Sequence, residues 1–448
     1  MFCFSQVFYT IFSSVLLSLS IPNEFFSFGS PFFGLIALVP LYISVSRSKS
    51  YKQIFWLCFI HGGLTHLLSS FWLANFQGMA AFTLGASLIG TGFIEAFCGW
   101  VIYYPFSKAN KEKTSSLIKV FWFSSSYVFY EWCKSTGFLA YPWGTLSMSA
   151  VSCSLIVQIA DITTQYGISF LFALFSAFLG EKILLSFEKN IDKNLRLIDL
   201  QTAAKAILIL FGFSLFYGIY QYTKPRTVHK KINTVLVQQN MDTYRVNELD
   251  AITLSQHLTK AGIAELREKN LKPDLVVWSE GVLNRYFPLS QKYYERKPDS
   301  KPLMKFIKEL RVPFIIGSST VIDEENHKYG NSAALISRDG QYLGSYIKLH
   351  LVPFAEAIPF VEYPLVRKFI KKIAGFSYGW TQGNKYTVFE IPVSTPTKDL
   401  NGTEIISATK TQTIPKINYV YISAPICFDD AYNDVFAGLY RAGTEVFM

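Results

Sequence analysis

The chain has 448 residues, a formal net charge of +10, and a composition that is half hydrophobic and 17% aromatic. That is too apolar for an ordinary water-soluble globule of this length, and it excludes a purely soluble enzyme or binding module. The surplus cations do not require nucleic acid, because their placement follows membrane topology.

Seven apolar stretches, near residues 4–20, 29–46, 54–74, 79–104, 116–133, 155–179 and 203–222, are about as long as a helix must be to cross roughly 30 Å of hydrocarbon. The first lacks a basic flank and a small-residue cleavage site before Pro22, so it reads as a retained anchor rather than a signal peptide. Arg47, Lys49 and Lys52 fill the second connection, and Lys108, Lys111, Lys113 and Lys119 the fourth. Lys182, Lys189, Lys193, Arg196 and Lys205 fill the sixth, whereas the first and third carry no Lys or Arg and the fifth only Lys134. This alternation places the N-terminus and the even connections in the cytoplasm and everything after the seventh helix on the far side. The expected division is a membrane domain over residues 1–222 and an extracytoplasmic catalytic domain over 223–448, meeting at Tyr222 to Arg226. Among acids in the membrane segments, Asp161 reads as a helix-packing hydrogen-bond acceptor. His61 and His66, five apart, do not share a helix face, so neither a metal nor a cofactor is expected.

Beyond residue 223 the order is strand (KINTVLVQQN), amphipathic helix (249–270), strand (DLVVWSE), helix (301–312) and strand (VPFIIGSST). A hairpin over 331–348 turns at Arg338, Asp339 and Gly340. A long loop, the strand YTVFEIP, a polar insertion at 393–417 and an apolar run from Asn418 to Cys427 follow. This alternation argues for an α/β layered domain.

Three of these segments end in residues of complementary chemistry. Cys427 closes the last run, Glu280 follows DLVVW, and Lys348 follows the hairpin. A thiol, an ammonium and a carboxylate suffice for acyl transfer: the thiolate attacks, the cation lowers its pKa and steadies the oxyanion, and the carboxylate moves protons. Spacing alone leaves open that the three are unrelated. The other five cysteines, Cys3, Cys58, Cys98, Cys133 and Cys153, lie in or beside membrane segments, so no disulfide framework is expected. A solitary thiol outside the cytoplasm is a liability unless the chemistry uses it.

The soluble half resembles the nitrilase superfamily, and the preceding membrane helices make the whole similar to the apolipoprotein N-acyltransferases of Gram-negative bacteria. The resemblance rests on AYPWGTLSMS at 140–149, QIADITTQYGISFL at 158–171, TVLVQQN at 234–240 and VVWSEG at 276–281. It continues in YGNSAALISRDGQYLGSYIKLHLVPFAEAIP at 329–359 and APICFDD at 424–430. It implies an α-β-β-α sandwich with Glu280 as general base, Lys348 as oxyanion stabiliser, Cys427 as nucleophile and Glu356 as the carboxylate that holds Lys348. Trp143, Asn331, Phe428 and Asp429 are candidate substrate contacts. The family's usual Tyr-Glu after the nucleophile is Phe428-Asp429 here, its Pro-Phe-Gly-Glu is Pro-Phe-Ala-Glu, and Tyr244 is the nearest substitute for an expected tryptophan. The resemblance also implies that the chain is C-terminally incomplete, because relatives continue past Met448 into the rest of the domain and an eighth membrane helix.

The implied reaction moves an acyl chain from a phospholipid, through a Cys427 thioester, to the α-amine of a diacylglyceryl-cysteine at an apolipoprotein N-terminus. The implied setting is a monomer in the bacterial inner membrane with a periplasmic catalytic domain, without cofactor, metal or nucleic acid. The aromatic and basic segment at 360–380 is a candidate lid or membrane-dipping arm, or else a cover for the domain's own core. Rival readings are a membrane-anchored amidase for a small C–N substrate and a non-catalytic truncated product.

Overall fold

A computed structural model describes residues 4–75, 81–137, 140–187, 193–226, 228, 230–241, 246–353, 355–358, 360–361, 363–374, 379–393 and 418–448. The polar insertion at 394–417 and Tyr244 lie outside the described residues. The chain divides into two compact units, Met1–Pro225 and Arg226–Met448.

The first unit is helical, and helices occupy each of the seven apolar stretches. The second stretch is broken between Pro31–Ile36 and Val39–Ser46, where Pro40 sits at a helix start that its ring favours. The sixth comprises a short turn, Ser154–Val157, and a long helix, Ala160–Phe187, kinked at Thr164, whose φ is 58°. Among the described residues three helices are long and apolar enough to cross a membrane: Thr83–Phe106, Ala160–Phe187 and Arg196–Thr223. Phe4–Ser20 and Pro31–Ser46 are apolar but shorter.

Packing in this unit is inverted relative to a water-soluble bundle. Large side chains such as Phe97, Trp100, Phe129, Trp132 and Phe216 face outward, while Ser13, Ser14, His61, Glu95 and Ser124 are fully buried. A hydrocarbon surround explains both halves of that pattern, because polar groups there must find partners within the protein. His61 Nδ1 lies 2.7 Å from Glu95 Oε1, and its Nε2 lies 3.2 Å from Ser13 Oγ, tying three helices. Close approach of Tyr51–Ser69 to Ser87–Tyr103 depends on glycine, since a Cβ at Gly99 would meet Cys58 Sγ at 2.7 Å. Asp161 Oδ2 accepts from Tyr217 (2.6 Å) and Gln221 (2.9 Å), which is the helix-packing role expected of it.

The second unit is α/β. Its larger sheet contains β1 (Thr234–Val237), β2 (Leu275–Trp278), β3 (Tyr286–Phe287), β4 (Phe314–Asp323), β5 (Lys328–Ile336) and β6 (Tyr342–Ile347). The order is β1-β2-β4-β5-β6, with β3 off this path on β4. β1, β2 and β4 run parallel, and β4, β5 and β6 antiparallel. A smaller sheet joins β7 (Phe389–Val393), β8 (Asn418–Ser423) and β9 (Val446–Phe447). Parallel neighbours require crossover helices, and these are Glu248–Glu268, capped by the Asn247 side chain, and Leu303–Leu310. Their apolar faces bury Ile252, Leu303, Phe306 and Ile307 against Val235, Trp278 and Phe314. The strand expected to run to Cys427 stops at Ser423. Pro425 has no N–H to give a ladder, so residues 424–426 reach the cysteine without one.

Candidate active site

Strand ends supply the polar groups of the site. Glu280 lies two residues past β2, beside Gly281, whose φ is +73°. The turn rests directly on β4. A Cβ at Gly317 would come within 2.2 Å of the Ser279 carbonyl oxygen and 2.5 Å of Glu280 Cα, so only glycine admits the Glu280 backbone there. Lys348 follows β6, and its N–H donates to the Asn331 carbonyl on β5 at 2.9 Å. Glu356 ends a turn in which its N–H donates to the Val352 carbonyl (2.8 Å), while the Val352 N–H donates to Glu356 Oε2 (2.9 Å).

These side chains form one cluster. Lys348 Nζ donates to Glu356 Oε1 at 2.8 Å and lies 2.8 Å from Oε2 and 3.8 Å from Glu280 Oε1. Asn331 Nδ2 bridges the two acids, donating to Glu280 Oε1 (2.6 Å) and Glu356 Oε1 (3.2 Å). The Lys348 side chain is 1% exposed and that of Glu280 38%, so the ammonium is sealed while one acid opens outward. Burial alone would lower the Lys348 pKa. The carboxylates of Glu356 and Glu280 outweigh it and hold that pKa above the ordinary lysine value.

Cys427 is exposed and adopts a left-handed backbone, φ 49°, at the start of the turn Cys427–Ala431. Such a conformation is costly for a residue with a Cβ and is tolerated where the fold over-determines it, as at a nucleophile elbow. Although the residue is exposed, partial desolvation of its sulfur by surrounding protein atoms and the charges of Glu280 and Glu356 raise its pKa, against the lowering effects of Lys348 and of the Phe428 N–H. The net direction is upward. Lys348 lowers the thiol pKa, as expected of the cation, but desolvation and the two carboxylates exceed it.

Two of the candidate substrate contacts are internal instead. Phe428 is fully buried, its ring edge-on to Tyr432. Asp429 is also fully buried, and its carboxylate accepts from the Tyr346 hydroxyl (2.7 Å) and from the N–H groups of His350 (2.7 Å), Leu349 (3.2 Å) and Ile426 (3.1 Å). It therefore clasps the cysteine turn to the segment after Lys348 and presents no lone pair to substrate. Sequence reasoning missed this clasp, although a carboxylate at the third position of a turn that returns to the N–H of the residue before the turn, here Ile426, is a local signal. Asn331 is one of the four members of the cluster. Trp143 belongs to the first unit, where its ring packs edge-on to Trp72 and Tyr141.

Comparison with known proteins gives concordant results. A family model described as the apolipoprotein N-acyltransferase N-terminal domain matches residues 13–178, and the carbon-nitrogen hydrolase model matches residues 184–448. Apolipoprotein N-acyltransferase 2 of Treponema denticola is 37% identical, over 99% of this chain and 79% of its own. Its Treponema pallidum counterpart is 31% identical over 100% of this chain and 78% of its own. The apolipoprotein N-acyltransferase of Borreliella burgdorferi is 29% identical over 85% and 70%.

Replacing Asp429 with Ala removes the acceptor from four donors in the protein interior. The expected loss is about 3 kcal/mol or more, read as a lower thermal midpoint of the detergent-solubilised chain. A midpoint equal to that of the unsubstituted chain would refute the clasp.

Proposed function

The chain belongs to the apolipoprotein N-acyltransferase family, and on that premise we propose that it transfers an acyl chain from a membrane phospholipid to the N-terminal amine of a diacylglyceryl-cysteine in apolipoproteins. As an N-acyltransferase it needs a nucleophile, a base and an oxyanion site. The observation that best supports this assignment is the exposed Cys427 thiol on a left-handed elbow, within electrostatic reach of Glu280, Lys348 and Glu356.

The steps follow from the charges. Glu280 takes the thiol proton as sulfur attacks the ester carbonyl, which answers a thiol pKa held high at rest. The developing oxyanion is met by Lys348, whose ammonium is oriented by Glu356 and retains a proton for a third hydrogen bond. Collapse expels the lysophospholipid alkoxide, which recovers the proton from Glu280, and a thioester remains on Cys427. The lipoprotein amine then attacks the thioester and passes a proton to Glu280. Collapse releases the amide, and the departing thiolate takes that proton back.

Lipid substrates require a site at a membrane surface, and we assign residues 1–222 as the anchoring domain with seven spans and residues 223–448 as the periplasmic catalytic domain. The aromatic and basic segment supports the role of lid or interfacial arm. Its helix Pro364–Ala374 exposes Leu365 (82%) and Phe369 (61%) beside Arg367, Lys368, Lys371 and Lys372. Part of that segment, 375–378, lies outside the described residues.

A reporter fused near residue 300 should be active only outside the cytoplasm; activity confined to the cytoplasm would reverse the topology. For the chemistry, the reconstituted chain with phospholipid and a diacylated lipopeptide should yield the N-acylated product, and Cys427→Ala should abolish it. Turnover of small amides without lipid transfer would favour the amidase reading. In single turnovers with phospholipid alone, Glu280→Gln should keep the fold and slow acylation by about 10²-fold or more. Glu356→Gln should also lower the thermal midpoint, because a buried ammonium loses its main partner. Wild-type acylation by Glu280→Gln would show that the base is another residue.

A further inference from the structure

One face of the larger sheet carries more than the polar cluster uses. Side chains alternate across a strand, so the residue two places from Asn331 on β5 shares its face, about 7 Å further along. That residue is Tyr329. Asn331 is paired with Ser319 on β4, and Ser319 with Tyr286 on β3, which brings Tyr286 to the same face. The two tyrosine rings meet over the small Ser319 side chain and stack, with centroids 4.0 Å apart and planes at 17°. Phe287 points the other way, fully buried against Tyr294 and Tyr342 beneath the helices. Tyr286 is 36% exposed and Tyr329 half-buried, so the stack presents ring surface outward instead of filling a core. Adjacent backbone bonds tie this stack to the cluster. The Thr381 N–H donates to the Tyr329 carbonyl (2.7 Å), and the Trp380 N–H donates to the Glu356 carbonyl (2.9 Å).

A fatty acyl chain joined to a cysteine must leave a charged, hydrogen-bonded cluster along an apolar path, or its methylenes stay in water. Stacked rings next to Asn331 on the same sheet face supply such a path. Their flat surfaces have few torsions to freeze when a flexible chain lies against them. Building on the acyl-transfer reading, we propose that Tyr286 and Tyr329 form a wall that receives the donor's acyl chain as its carbonyl carbon reaches Cys427. The pair thereby sets a preference for long chains over short ones. Neither phenol touches the reacting atoms, so the reactivity of the thiol itself does not depend on them.

The test uses the full chain in detergent and follows the burst of p-nitrophenolate as Cys427 is acylated by p-nitrophenyl laurate or p-nitrophenyl acetate. Tyr286→Ala should raise the laurate concentration for half-maximal acylation about tenfold or more. It should leave the acetate value and the rate of iodoacetamide alkylation of Cys427 unchanged. Tyr286→Phe, which keeps the ring, should behave as the unsubstituted chain does. Should Tyr286→Ala fail to fold, Tyr286→Leu carries the same comparison with a smaller expected shift. Equal losses with both esters, or an unchanged laurate value, would overturn the wall. A shift confined to the diacylated lipopeptide acceptor would give the rings to the acceptor and overturn it as well. If neither ester acylates the unsubstituted chain, the acyl-transfer reading falls and the wall with it; acylation that the substitutions leave unselective sinks the wall alone.

Discussion

One buried ammonium organises the catalytic unit. Lys348 is removed from water almost completely, and it is stable as a cation only because Glu356 contacts it twice and Glu280 lies at 3.8 Å. The ends of β2 and β6, a residue within β5 and one turn must therefore converge, and Asn331 keeps the two acids from separating. Removing a partner from such a cluster costs more than the cluster contributes, so its members act as a unit. The same arrangement acts on the thiol: the carboxylates that raise the Lys348 pKa add to desolvation in raising that of Cys427.

A thiol whose pKa is held up, with the Glu280 carboxylate in electrostatic reach, is guarded against oxidation at rest. Thiolate is the form that oxidises, and here it would exist mainly during attack. The elbow and the clasp make this workable. Asp429 binds both the cysteine turn and the backbone beyond Lys348, so the segments carrying Cys427 and Lys348 are fixed to one another through a single carboxylate. In the helical unit the same rule of internal satisfaction operates with weaker pairs, such as Ser13, His61 and Glu95.

Much of this was legible in the sequence, for identifiable reasons. Apolar runs located the helices, and alternation located the strands, because those signals are local. Glu280, Lys348 and Cys427 could be picked out since each follows an apolar strand with a side chain that such a strand cannot bury. Asp429 was misjudged because most of its partners, Tyr346, Leu349 and His350, lie about 80 positions away, and the return to Ile426 is the one local signal. The net sign of the Cys427 shift was not legible for a related reason, since sequence shows one lysine and two glutamates but not their distances. The helix Pro364–Ala374 was read as loop although Leu365 and Phe369 already stood four apart. Gly317 gave no signal at all, because its role is set by the backbone of another strand.

The central claim is that the resting site holds Cys427 as a thiol until Glu280 removes its proton. The direct measurement is the rate of iodoacetamide alkylation of Cys427 in the full chain, followed by peptide mass mapping across pH. The account predicts a rate that climbs through an ionisation above the ordinary cysteine value. A fast rate that is independent of pH through neutrality would mean a preformed thiolate and would contradict it.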